Sequence, residues 1–395
     1  MGFTIKENTT VAVTIETVEG TYEAPAAPAA FISPMASGME LSPAKEMLDR
    51  QNLNSSIGRS TPRGGMRSVS GSIPVEAKAS GVAGSAPEFD PLMKSAFGSR
   101  RQAATTTVTK ITGNTGSILH IEDADISKYA IGDIVMVKQS GAFHVSPIIA
   151  RSTGAGTASI TLLVSKPSGS FANSVVIEKV TTYVTANSGH PSLSVSKWIE
   201  GAVLEKAYGC KVSGFELSGF TVGQMASFGF KIDGAGFDRT LSAQSITPAY
   251  DSALPPVILN AKVYQAGVAV DVNDVSVSLA NSLGFIMSTA SENGRISSRV
   301  TERQVTGSFN PYKSDNSVAN YDLFKDGTEF SMFFYMANPG ASAGQLKEVV
   351  AFYLPKCFIS SISEADKDGV LQDSISFSAS RGADGASEEI YVSFI

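Results

Sequence analysis

Two cysteines, three histidines and one tryptophan in 395 residues narrow the chemistry open to this chain. Two cysteines make no disulfide framework, and Cys210 and Cys357 each fall inside an apolar stretch, so they read as buried free thiols. His120, His144 and His190 are separated by loops, and neither H-x-x-x-H nor C-x-x-C occurs. The spacings of a zinc site or a histidine-based triad are therefore missing. No phosphate-cradling G-x-x-x-x-G-K-[ST] is present, and no G-x-G-x-x-G follows a strand. Ser42-Pro43-Ala44-Lys45 matches S-x-x-K but lacks its companion motifs. Residues 364–369 open like a calcium loop, yet position twelve is Ile375, so a hairpin tip is the better reading. No carboxylate pair stands out among 37 acidic residues. The expectation is a protein without catalytic residues, cofactor or metal.

Long apolar runs are also missing: FSMFFYM at 330–336 and VVAFYL at 349–354 fall far short of the roughly 20 residues that span a bilayer. The amino terminus has no basic segment followed by an apolar one, which argues against a secretory signal. A protein made in a cytoplasm, with no membrane anchor, is expected. Charged residues are only 17% and the net charge is −6, which disfavours a surface that grips nucleic acid.

What is abundant is Gly, Ser, Thr, Val and Ala, a mixture that favours strands and turns. Part of this pattern occurs twice. Gly58, Arg59, Arg63, Arg67, Val69, Gly71 and Ser72 recur 236 positions later, where chance gives about one identity in such a window. Further on, Cys210/Cys357, Val212/Ile359, Ser213/Ser360, Phe228/Ile375 and Phe230/Phe377 are 147 apart. The fall in offset places about 89 extra residues in the first copy. The expected organisation is a first domain over 1–100 and 185–240, an inserted small β-barrel or sandwich over 101–184, and a second domain over 241–395. The inserted stretch alternates in short segments, beginning at 106–111, separated by Gly, Ser and Asn turns.

In the first domain a Pro/Ala-rich stretch follows an alternating strand over 10–16. A long polar loop over 35–65 reads as a binding segment, because compact domains rarely keep idle loops of that length. Phe89, Leu92, Met93 and Phe97 predict a short helix with Asp90 as its N-cap and Pro91 first in the helix. The second domain carries a matching helical segment over 321–327.

The duplicated arginines carry the strongest site signal. Arg59, Arg63 and Arg67, like Arg295, Arg299 and Arg303, are spaced by four, which keeps one face of a strand. They read either as fixed cations meeting carboxylates of a neighbouring chain, such as Glu46 and Asp49, or as a solvated sheet edge guarded by charge. Glu46, Asp49 and Arg50, all in the long loop, complete the set of candidate inter-subunit or inter-ring residues.

The segments ETVEGTYEAPAAP, ELSPAKEMLDRQNL, GGMRSVSGSIPVE and APEFDPLMKSAFG resemble the major tail tube proteins of long-tailed, non-contractile (siphovirus-type) bacteriophages. DVNDVSVSLANSLG, RVTERQVTGSF, YDLFKDGTEFSMFF and LPKCFISSISEADKDGVLQDSISFSASRG resemble the same fold again. The resemblance implies a mainly β structure: tandem β-sandwich or barrel domains, each with one short helix, in stacked rings around a channel for DNA ejection. Rings of six single domains would be matched by three chains of two domains each, a pseudo-hexameric trimer. Implied partners are further copies of the chain and the tape-measure, tail-tip and tail-terminator proteins. DNA would pass an acidic lumen without specific binding, since even a few phosphate contacts would hold it. The location implied is the virion tail, with the insertion on the tube exterior, where it could touch the host surface or sugars. Another β-rich virion decoration protein or a carbohydrate-binding adhesin is the alternative.

Overall fold

The computed structural model describes residues 8–52, 57–103, 105–107, 114–139, 141–153, 158–172, 175–259, 261–314, 316–339, 346–382 and 388–395. Within them the chain is mainly β, as its composition predicts. The first part contains β1 (Thr9–Ile15), β2 (Phe31–Ile32), β3 (Glu40–Leu48), β4 (Arg63–Glu76), α1 (Asp90–Phe97) and β5 (Gly98–Ala103). Six short strands follow: β6 (Thr106–Thr107), β7 (Ile118–Ile121), β8 (Ile134–Gln139), β9 (Ala142–Ser152), β10 (Ala158–Leu162) and β11 (Val176–Ile177). Positions 108–111 of the first expected strand there lie outside the described residues. The chain continues through β12 (Val180–Thr185), β13 (Leu193–Ile199), β14 (Val203–Ser218), β15 (Ser227–Gly234) and β16 (Gly236–Leu241). The last part holds β17 (Lys262–Gln265), β18 (Val268–Ala269), β19 (Val272–Met287), β20 (Arg295–Pro311), α2 (Asn316–Asp326), β21 (Phe330–Pro339), β22 (Leu346–Lys367), β23 (Val370–Ala379) and β24 (Tyr391–Phe394).

The antiparallel pairings follow one scheme, met twice. In the first half β1 pairs with β2 and β13, β13 with β14, β14 with β15 and β16, β15 with β4, and β4 with β3. In the second half β17 pairs with β18 and β21, β21 with β22, β22 with β23 and β24, β23 with β20, and β20 with β19. Each helix follows the fourth strand of its set. Even the bulges agree, for the register slips at Ser213 of β14 and at Ser360 of β22, 147 residues apart. One detail departs from the sequence match. Ile232 faces Gly71 as Phe377 faces Gly307, so the last long strands correspond at an offset of 145 rather than 147. The turn before β15 is two residues longer than its counterpart, and an even shift leaves every side chain on its original face.

α1 forms where the 3.6-residue spacing places it, but Asp90 is its first helical residue rather than its cap, and the cap position, Phe89, makes no side-chain hydrogen bond. The Asp90 carboxylate instead accepts from Tyr183 Oη at 2.6 Å and pairs with Lys94 at 2.8 Å and Arg100 at 3.0 Å. Leu92, Met93, Ala96 and Phe97 are fully buried by this helix. α2 begins a turn before the expected segment and leaves Val318, Tyr321 and Phe324 exposed.

Alternating apolar residues from both halves merge into one core, from Val11 to Phe394. At its centre Phe215 meets Phe97 and Phe228 at ring distances of 5.2 Å. β6 to β11 form a separate six-stranded sheet, ordered β6-β11-β8-β9-β10-β7, with its own core around Leu119, Val135, Ile148 and Ile160. β12 belongs to the large sheet, between β5 and β24. The small sheet packs on the body through Ile134, Met136, Val145 and Val164, which meet Phe333, Val349, Tyr353 and Tyr391. An Arg101–Asp133 ion pair at 3.0 Å closes the rim.

Gly132 sits at this joint with φ +90°, and a Cβ there would overlap the Tyr391 ring. Gly132→Ala is therefore strained twice and should destabilise the protein by about 1–3 kcal/mol. Urea denaturation of the variant, followed by tryptophan fluorescence and circular dichroism, measures this; an unchanged midpoint would show that the joint is loose.

Candidate subunit interface

The two halves meet by sheet extension. Leu217, Glu216, Phe215 and Gly214 of β14 pair antiparallel with Val277, Ser278, Leu279 and Ala280 of β19. The pairing has a physical cause in the alternation of both strands, since Phe215, Leu217, Val277 and Leu279 are all buried on the shared core face. The third strand of the second half thus completes the outer edge of the long strand of the first.

The corresponding positions elsewhere are open. By the 236-residue offset of β4 and β20, Leu41–Ala44 of β3 correspond to Val277–Ala280 of β19. By the 147-residue offset of β14 and β22, Ser361–Glu364 correspond to Gly214–Leu217. Among the described residues, β3 pairs only with β4, and Ser361–Glu364 pair only with β23. One molecule therefore carries two unpaired edges, each the counterpart of one side of its internal junction. Unpaired edges are aggregation sites unless covered or used.

Charges reinforce the internal junction. Glu19 accepts from Lys211 Nζ at 2.7 Å and from Arg299 at 2.7 Å, and Lys211 also donates to the Ser298 carbonyl. Lys211 is only 3% exposed, so its charge depends on these partners. Arg303 donates to the Ala186 carbonyl at 2.8 Å and to Glu389 at 2.8 and 3.0 Å. Asn281 Nδ2 donates to the carbonyls of Ala96 and Val212. Burial alone would raise the Glu19 carboxyl, but hydrogen bonds from Lys211 and Arg299 outweigh it and hold it below its ordinary 4.5. Glu389 behaves alike: burial raises it, while the Thr185 hydroxyl, its own backbone amide and Arg303 bring it below the ordinary value.

The structure distributes the nine predicted site residues among different environments. Arg299 binds Glu19 of the first half, and Arg303 binds the Ala186 carbonyl of the first half and Glu389 of the second. They do not share a surface as their spacing predicts, because Thr301 is an extra residue in β20 and breaks the two-residue period. Arg295 lies over the Phe285 ring at 4.1 Å. Arg63 and Arg67, on β4, are exposed and have no ionic partner among the described residues. Arg59 stands 3.9 Å from Asp49 of the same chain, with both side chains largely in solvent, a contact of little energetic weight. Glu46 and Arg50 are exposed on the β3–β4 arm. Sequence reasoning missed Glu19, Glu389 and Asn281, which come from distant segments with no shared spacing. Lys211 was visible, as a lone cation between Cys210 and Val212 in an apolar strand.

Both cysteine thiols are fully buried, and burial raises them far from thiolate formation. Among the described residues, no three of His, Cys, Asp and Glu gather as a metal site would need. Among the described residues, no helix is long and apolar enough to cross a membrane.

Glu19→Gln would leave Lys211 charged and buried beside a neutral amide, at a cost of about 2–3 kcal/mol at pH 7. The folded carboxyl titrates below 4.5, so its contribution is complete above that value and is lost as pH falls through the depressed one. Urea unfolding of wild type and variant should therefore differ at pH 7 and converge once the pH has fallen through the depressed value; a gap that persists in acid would mean that packing rather than charge was lost.

A search of curated proteins gives no match. A family model described as "Phage tail tube protein" matches residues 7–379, nearly the whole chain. A mainly β body that joins its halves by sheet extension and keeps matching edges open agrees with that description, and the chain belongs to the phage tail tube protein family.

Proposed function

We propose that this chain forms the tail tube of a long-tailed, non-contractile phage as stacked trimeric, pseudo-hexameric rings that conduct DNA into the host. Each chain supplies two tube domains, 1–100 with 185–240 and 241–395, and the 101–184 insertion lies on the tube exterior. Support for the duplication is the twice-met pairing scheme and the shared bulge position. Support for the ring is a single observation: the β14–β19 junction inside the chain has both of its sides repeated as unpaired edges.

Carrying the internal register over to a second copy places Pro43 opposite Ile362 and Ser42 opposite Ser363, as Leu279 faces Phe215 and Ser278 faces Glu216. Such a contact joins two different surfaces, so each added copy offers the same edge again. If the step between chains repeats the step between halves, three chains supply six domains and the ring closes. Tape-measure, tail-tip and tail-terminator proteins are the partners of such a tube. The net charge of −6 suits a conduit that repels phosphates rather than holding them.

Ser42→Cys combined with Ser363→Cys tests register and closure together, since directly opposed strand residues come within disulfide range. Under oxidation, non-reducing gels should show covalent products that stop at the trimer. A ladder running past three would overturn threefold closure. Monomers alone, in preparations where electron microscopy still shows rings, would overturn the pairing.

A further inference from the structure

An apolar cavity of about 430 Å³ lies on the first half, lined by Val11, Ile32, Met39, Lys197, Ile199 and Tyr250 among others. Its counterpart in the second half is filled. Strand registers set Val11 against Val263, Lys197 against Phe334, Ile199 against Met336, and Met39 against Val275. Those four residues of the second half are buried, and a group from the other half lies against two of them, Phe334 and Val275.

That group is the β14–β15 turn. Phe220, itself buried, meets the Phe334 ring edge-on at 5.2 Å, and its carbonyl accepts from Val275 N at 3.1 Å. Gly223 N donates to the Ile258 carbonyl and Ile258 N to the Gln224 carbonyl, each at 2.9 Å. So the turn beyond an occupied sheet edge also fills the groove beside it.

We infer that the cavity of the first half receives the β22–β23 turn of a second copy of this chain, residues 366–371, as its groove counterpart receives the β14–β15 turn. The inference rests on the edge pairing proposed above and deepens it. Phe220 corresponds to Lys367 by the β14–β22 offset, so this turn is the one that the same geometry would deliver. The cavity is continuous with the open β3 edge through Met39. Val370 and Leu371 are 52% and 48% exposed, although each sits at a strand end that could bury it.

The chemistry has changed on both sides in a matched way. Where the second half offers Phe334, the first offers Lys197, paired with Glu205 at 3.3 Å, and Glu205 is already shared with Arg239. This leaves two cations around one carboxylate. The incoming turn carries exposed Asp366 and Asp368 around Lys367 in place of the phenylalanine. An aromatic contact within the chain is thereby replaced by a cation–carboxylate contact between chains, with Val370 and Leu371 filling the apolar floor.

The test is photo-crosslinking in assembled rings made from equal parts of isotopically light and heavy chain, with p-benzoylphenylalanine replacing Tyr250 at the groove rim. Mass spectrometry should find mixed light–heavy crosslinks between position 250 and the peptide containing 366–371. Crosslinks to any other peptide of the second copy, or only within one chain, overturn the groove assignment while the disulfide of the Ser42→Cys, Ser363→Cys variant still forms. Loss of that bond as well overturns both readings. A charge exchange gives an independent measure. Lys197→Glu should raise the protein concentration needed for assembly about tenfold, and Asp366→Lys with Asp368→Lys should restore it. A defect that the exchange does not relieve also counts against the assignment.

Discussion

A β-sheet cannot simply stop: its last strand leaves a row of amide and carbonyl groups that must find water or another strand. The body of this protein is organised around that constraint. Inside the chain the outer edge of β14 is satisfied by β19, and the side chains beneath that junction, Phe215, Leu217, Val277 and Leu279, turn two sheets into one core. The apolar payload and the backbone bonds are gained together, which is why the halves share a hydrophobic interior instead of touching across a polar seam.

The ionic groups at this junction follow from the geometry. Lys211 is drawn into the interior because its neighbours Cys210 and Val212 belong to the core face and its own side chain must emerge beneath the adjoining strand. Its charge is tolerable only because Glu19 and the Ser298 carbonyl are fixed nearby. Arg303 is held in the same way by Glu389 and a backbone carbonyl. Buried pairs of this kind add modest net stability, but they penalise any sheet pairing that leaves one member alone. They therefore act on register more than on strength.

Much of this was legible in the amino-acid sequence. α1 followed from Phe89, Leu92, Met93 and Phe97, and the long strands from their alternation. The correspondence of Cys210 with Cys357 gave the offset that the bulges share. Other features were hidden for physical reasons. The Thr301 bulge adds a residue without changing composition, so the environments of Arg299 and Arg303 could not be separated by counting. Asp90 reads as a cap from its position before proline, yet Tyr183 of β12, Arg100 of β5 and Lys94 of its own helix claim its carboxylate. The predicted arginine set named the right strands but not their carboxylate partners, because Glu19 lies 280 residues from Arg299 and Glu389 lies 86 residues from Arg303. Long-range pairing leaves no local trace.

The contrast between Phe334, stacked on Phe352 at 4.8 Å, and the corresponding Lys197–Glu205 pair has a consequence for how errors are removed. An all-aromatic seat, once filled, releases its occupant slowly, which suits a contact that forms once during folding and need never reopen. A salt-screened, partly hydrated seat lets go on a shorter timescale. In the assembly proposed above, a misplaced copy can then dissociate and try again before its neighbours lock it in, so a growing polymer of such chains would anneal its own defects while each chain stays intact.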